Sequence, residues 1–422
     1  METNQPPAPH DKADPLYSGR KHYPELDGLR AFAILGVIGL HFCACIPESQ
    51  IAAAGRPVEL ITRMFSHGAW GVDLFFVLSG YLITGILLSS KGQAHYFRNF
   101  YARRTLRIFP LYYGTLLAIL VILPLVLGRV PQMISAAYHH QVWLWTYTTN
   151  IYSASHGGGP FGNFFHFWTL AIEEQFYLVW PLIVFLLPPR WLLRLAVAGV
   201  VAINLARLAF ITVQWMPGTG WNPFVIYNGL ASFTLFRADS LLIGGALAVL
   251  QANGQLMEWR QFCGWAFAAL AVVVSIYLIF IPAYIYGLPT AVICHVTLAP
   301  LLFGSALGYV LTCKPASILS RSLSNRFLRS IGKYSYAMYV FHYIYLSLEI
   351  RWLPYSLFSK ILHNALLGLL TYYASAVAIA FALAFISYHL YEKHFLKLKN
   401  FFPEKSRDPT IASGQAIGAP TN

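Results

Sequence analysis

The chain has 422 residues, of which 57% are hydrophobic and only 11% charged, and its mean hydropathy is +0.55. These values exclude a soluble globular domain and point to a membrane protein crossed many times. The formal charge of +13 does not imply a nucleic-acid partner, because the cations concentrate in short segments between apolar runs, where membrane topology accounts for them.

The apolar runs are about 20 residues long and continuous, as spanning helices require and as the short alternating strands of a membrane barrel do not. The fold is therefore expected to be all-α, a polytopic bundle of about ten helices over residues 26–46, 70–88, 111–127, 167–187, 192–215, 233–250, 262–282, 288–311, 336–353 and 365–388. Residues 1–25 read as a polar, Pro-rich cytoplasmic tail, 26–392 as one transmembrane domain, and 393–422 as a disordered cytoplasmic tail.

The first run carries two ionisable residues, Arg30 and His41. An arginine at the centre of a spanning helix costs roughly 2.5–3.5 kcal/mol, so such residues carry a functional expectation. Their spacing puts them on one face, about 16 Å apart along the axis.

Cations arbitrate the topology. With the N-terminus inside, Lys91, Arg98, Arg103, Arg104 and Arg107 form one inner cluster and Lys314, Arg321, Arg326, Arg329 and Lys333 another, while Arg56, Arg63, Arg129, Arg351 and Lys360 are left outside. An additional span would move one of the two clusters outside. Residues 134–152, which hold His139, His140 and several Trp and Thr, are accordingly read as an interfacial or re-entrant outer segment, followed by a Gly-rich loop over 153–163. Both termini then face the cytoplasm.

Arg103 and Arg107 stand four apart just before Pro110, which is expected to begin the next span. With Arg104 and Arg30 they suit a clamp for phosphate oxygens, the head of an acyl-coenzyme A whose arm reaches towards His41. At the other level, His41, Asp73, Glu173, Glu174 and Asp239 all count to the outer third of the membrane. A carboxylate beside His41 would give it the tautomer of a general base. Glu173 and Glu174, about 100° apart on a helix, are expected to present only one side chain to that centre. Arg237 with Asp239 reads as a buried structural pair, and Tyr336 and His342 as candidates to line the site. Cys43, Cys45, Cys263, Cys294 and Cys313 have no metal-ligand spacing, and no metal is expected.

The motifs Leu26-Asp-Gly-Leu-Arg30 with His41, Gly71-Val-Asp73-Leu-Phe-Phe-Val-Leu-Ser79-Gly80, Arg103-Arg104-Thr-Leu-Arg107-Ile-Phe-Pro110, Trp168-Thr-Leu-Ala-Ile-Glu173-Glu174-Gln175, Phe236-Arg237-Ala-Asp239 and Ser335-Tyr336-Ala-Met-Tyr339-Val-Phe-His342 occur in this order. Together they resemble the acyltransferase-3 family of integral membrane O-acyltransferases. The resemblance implies an inner-membrane enzyme that takes an acyl group, usually acetyl, from cytoplasmic acyl-coenzyme A to a hydroxyl of a carbohydrate-containing acceptor, with Arg30 and His41 essential. His41 would serve as general base or as a transiently acylated nucleophile, with Asp73, Glu173 or Glu174 orienting it. Some members carry a further soluble domain, so any second transfer step here would use the membrane part alone or a partner. The alternative reading of the same buried polar residues is a proton-coupled secondary transporter.

Overall fold

The computed structural model describes residues 23–214, 223–280 and 289–403, with side chains omitted at 214, 223–225, 278–280 and 289–295. Most of both terminal tails and the side chain of Cys294 lie outside this set. Among the described residues the chain is helical without strands. The long helices are α1 (Pro24–Cys43), α2 (Trp70–Ser90), α3 (Tyr96–Leu116), α4 (Trp168–Leu186), α5 (Pro189–Gln214), α6 (Thr234–Ala252), α7 (Arg260–Phe280), α8 (Pro289–Leu311), α9 (Arg326–Trp352) and α10 (Ala365–Ser387).

Among the described residues, eight helical stretches are long and apolar enough to cross a membrane. They include α1 to α7 and α10. α8 offers a shorter described apolar stretch, Val296–Leu311. α9 is long, but the tyrosines, serines and His342 along it keep it out of that group. Leucines and valines such as Leu178, Leu182, Val197, Val201, Leu205 and Leu370 face outward, the arrangement lipid permits and water penalises. The chain is a multi-pass membrane protein.

α1 is the central helix. Pro24 occupies its first turn with Glu25 and Asp27 beside it, a residue without an N–H and two anions at the positive end of the helix. Ala31, Ala33, Ile34, Val37, Ile38 and Phe42 are fully or almost fully buried along it, and α1 packs on α9, α2 and α10.

Glycines set the closest helix crossings. α2 and α6 share the most extensive contact in the bundle, where Gly80 lies against the carbonyl of Leu241 and Gly244 against that of Val77. Small residues let helix backbones approach where lipid gives no hydrophobic drive for association. A Cβ at Gly244 would also sit 2.7 Å from the Tyr81 amide nitrogen. Gly244→Val is therefore expected to destabilise the bundle by about 1–3 kcal/mol, read as a lower thermal unfolding midpoint in detergent.

Three stretches take forms that the hydropathy pattern leaves open. α3 runs unbroken through Pro110, so the basic cluster lies on the helix and not in a loop before it. Tyr336 Oη donates to the carbonyl of Ile108 at 2.9 Å and Tyr391 Oη to that of Pro110 at 3.2 Å, satisfying backbone near the proline. Residues 134–152 form short helices, Gln132–His139, Gln141–Trp145 and the start of Thr149–His156, which also takes up the first part of the expected loop. They are pinned by Tyr112 Oη to the Leu144 carbonyl at 2.7 Å and by Tyr113 Oη to that of Trp145 at 3.1 Å. Beyond Glu392 the chain stays helical to Phe401 where disorder is expected. Arg103 Nη1 holds that segment through the carbonyls of Phe402 at 2.9 Å and Lys399 at 3.3 Å.

Candidate functional site

A cavity with an empty volume of about 910 Å³, partly open, lies among α1, α2, α3, α4 and α9. Its polar lining is Arg30, Arg104, Arg107, Glu173, Glu174 and Tyr177, with Ser79 and Tyr336 beside them. Sequence positions from five helices thus converge on one space. Apolar side chains of α2, Phe75, Phe76, Leu78 and Leu82, form the opposite wall.

At the arginine end, Arg30 Nη1 donates to Asp27 Oδ1 at 3.1 Å, one turn back on α1. Arg104 lies over the ring of Tyr177 at 5.8 Å, whose hydroxyl hydrogen-bonds Ser79. Arg104 and Arg107, three apart, share the cavity face, whereas Arg103 turns towards the C-terminal segment. Of the four arginines expected to act together, Arg30, Arg104 and Arg107 line the cavity and Arg103 does not. On α3 the direction of Arg107 falls between those of Arg103 and Arg104, which are themselves about 100° apart, so the cavity takes one flank of the cluster and the C-terminal segment the other.

Both Glu173 and Glu174 line the cavity, where only one was expected, because the space wraps around α4. They also meet the arginines and not the outer histidine level. The helical stretch begins at Gly162, and Asn163 Nδ2 already bonds the Ile344 carbonyl at 2.8 Å. Counting from residue 167 therefore did not reproduce their level relative to His41.

At the far end, Thr169 Oγ1 and Tyr339 Oη are 2.6 Å apart, and Tyr339 Oη donates to the His166 carbonyl at 3.0 Å. Behind this layer sits a histidine cluster. His41 Nδ1 is 3.0 Å from His342 Nε2, and His342 Nδ1 is 2.7 Å from the Tyr339 carbonyl. His166 packs on His342 with ring centroids 4.9 Å apart, its Nε2 3.2 Å from the Val340 carbonyl. His342 and His166 are fully buried while His41 is half-buried.

The tautomers follow from the carbonyls. A carbonyl only accepts, so His342 Nδ1 carries the proton, and neutral His342 presents a lone pair at Nε2. His41 Nδ1 must then donate, which leaves the lone pair of His41 Nε2 for an incoming proton or electrophile. The partner fixing His41 is a second histidine and not the expected carboxylate. His166 escaped the sequence reading; its one signal was an ionisable residue in an otherwise aromatic run.

Asp73 is elsewhere. Its Oδ1 is 2.8 Å from Arg237 Nη2 and accepts from Ser240 Oγ at 2.9 Å. Asp239 is held by both terminal nitrogens of Arg207 at 2.8 Å, so the expected Arg237–Asp239 pair is replaced by two interleaved pairs. Residues two apart on a helix project to different sides. All four charged side chains are nearly inaccessible, and they tie α2, α5 and α6 together. Among the described residues no group of His, Cys, Asp and Glu could hold a metal ion.

A family model described as an acyltransferase domain matches residues 23–389. Among curated proteins, the peptidoglycan O-acetyltransferase OatA of Listeria monocytogenes is 33% identical over 343 residues, which cover 77% of this chain and 49% of that protein. The O-acetyltransferase OatA of Staphylococcus aureus is 30% identical over 79% of this chain and 52% of its own length. The putative peptidoglycan O-acetyltransferase YrhL of Bacillus subtilis is 31% identical over 90% and 56%. The chain spans about half the length of these relatives. No solved structure matches it.

Proposed function

The chain belongs to this acyltransferase family, and we propose that it transfers an acetyl group from cytoplasmic acetyl-coenzyme A to a hydroxyl of a cell-wall or surface carbohydrate, of the peptidoglycan type that its relatives' names specify. The proposed topology has ten spans, α1 to α10, with both termini cytoplasmic and residues 26–392 as the transmembrane domain. The observation that carries the reading is the cavity: arginines at one end, a histidine with a directed lone pair just beyond the other.

In this reading Arg30, Arg104 and Arg107 hold phosphate oxygens as planar forks, and the thioester lies along the apolar wall towards Tyr339. His41 Nε2 takes the acceptor's hydroxyl proton as that oxygen attacks the thioester carbonyl. The carbon–sulfur bond then breaks, and the thiolate recovers the proton. Alternatively, the same lone pair attacks first and an acyl-imidazole passes the group on. Either way His342 fixes the ring and spreads the charge that develops on it. Glu173 and Glu174 balance the arginines across the cavity, and Tyr339 with Thr169 forms the layer that the acetyl end passes to reach His41. A proton-coupled transporter would use similar groups, but a cavity that joins arginines and glutamates to a layer backed by a histidine pair favours group transfer.

The purified chain is expected to release coenzyme A thiol from acetyl-coenzyme A, faster when an oligosaccharide acceptor is present. Arg104→Gln should raise the donor KM by about tenfold, the loss of a charge-assisted contact, whereas Arg103→Gln should leave KM unchanged and loosen the C-terminal segment towards protease. No thiol release from either acetylated donor or acceptor mixture would end the acyl-transfer reading.

A further inference from the structure

Outside the cavity an open vestibule is lined by Arg30, Arg107, Arg326, Arg329 and Lys333, with Asp27 as its one carboxylate. Asp27 is already engaged by Arg30. Arg30 and Arg107 belong to both linings, so the vestibule is the antechamber of the cavity and not a separate patch.

One face of α9 connects the two spaces. Residues 326, 329, 330 and 333 recur at helical spacing, and the same face continues through Tyr336 to Tyr339. Lys333 is about 14 Å along the helix axis from His342. Arg326, Arg329 and Lys333 are exposed, and the Lys333 ammonium rests over the rings of Tyr334 and Tyr388 at 4.9 and 4.7 Å. Membrane anchoring asks only that cations lie near the interface. It does not ask that three of them rim the mouth of a cavity whose throat holds two more.

We propose that this vestibule is a polyphosphate subsite, in which Arg326, Arg329 and Lys333 bind the phosphorylated nucleotide end of the donor before Arg30 and Arg107 receive the phosphates nearer the thioester. The proposal rests on the acyl-transfer reading for its ligand. Its chemistry, several cations facing multiply charged phosphate, with Asp27 engaged by Arg30 and Glu392 in the adjoining space accepting from Ser387, could equally attract anionic lipid headgroups, so the test separates the two.

Full-length protein in phosphatidylcholine nanodiscs would be assayed with acetyl-coenzyme A and with acetyl-pantetheine, which carries no phosphate. In the triple variant Arg326→Gln/Arg329→Gln/Lys333→Gln, KM for acetyl-coenzyme A is expected to rise about tenfold or more while KM for acetyl-pantetheine stays put. Adenosine 3′,5′-bisphosphate should compete with the donor on the wild type and lose potency by the same factor on the variant. An unchanged KM for acetyl-coenzyme A, or an equal rise for both donors, overturns the proposal. So does a difference between wild type and variant that appears only when phosphatidylglycerol is added while the nucleotide is inert, which assigns the vestibule to lipid. Should the wild type release no thiol from either donor, acyl transfer fails. Equilibrium dialysis of adenosine 3′,5′-bisphosphate then still decides the vestibule: binding lost in the variant supports it, and no binding to the wild type removes it.

Discussion

Replacing His41 by alanine is expected to lower the rate of acetyl transfer by about 10²–10⁴-fold, the usual contribution of a positioned general base, with donor KM nearly unchanged. The reason is local. His41 supplies an unshared lone pair on a half-buried ring just beyond the inner end of the cavity, whereas His342 directs Nδ1 at a carbonyl and Nε2 at His41, and His166, whose Nδ1 is also without a partner, is fully buried. His342→Ala should cost less, about ten- to a hundredfold in kcat, as for other residues that orient a catalytic group. The double variant should be no slower than His41→Ala alone, since a residue acting only through its partner has nothing left to position. Independent, multiplying losses would place His342 in direct contact with substrate, and wild-type turnover by His41→Ala would remove it from the chemistry. Thermal unfolding of each variant separates these outcomes from simple misfolding.

The second large effect concerns stability. Asp239→Ala strips the counter-charge from Arg207, a guanidinium with no accessible surface, and is expected to cost about 3–5 kcal/mol, as breaking a buried pair by removing one partner does. Arg207 would keep its bonds to the carbonyls of Val296, at 3.0 Å, and Phe236, but its charge would stand uncompensated between helices. Arg207→Met/Asp239→Leu should recover much of the loss, because removing both charges also removes the desolvation penalty. Unfolding midpoints in detergent measure both variants. An Asp239→Ala protein as stable as wild type would mean that Arg207 finds water or another anion, and the two interleaved pairs would then be incidental to the bundle.

How far these features were legible without coordinates varies with the range of the interaction involved. Apolar runs, the basic clusters and the intramembrane ionisable residues are local properties of the chain, so α1 to α7 and α10 emerge from hydropathy alone. Arg30, Glu173 and Glu174 could be picked out as charges where lipid makes one costly, and Arg104 and Arg107 as members of a dense cluster of cations just before an apolar run. Their partners could not. Asp73 bonds Arg237 across 164 positions of chain and His41 bonds His342 across 301, and no local pattern encodes which helices are neighbours or how each is rotated. Counting set Glu173 and Glu174 level with His41, whereas they share a cavity with Arg30, Arg104 and Arg107, because the helical stretch of α4 starts at Gly162, earlier than its apolar run suggests. Arg103 and Arg104 are adjacent in sequence yet divide between the C-terminal segment and the cavity, a separation of about 100° about the α3 axis that acquires meaning only once its neighbours are in place. What the chain's composition determined by itself was residence in a membrane and a set of costly polar side chains. Which of them meet was decided by tertiary packing, because in a bundle without water every buried charge takes its partner from whichever helix close packing brings alongside.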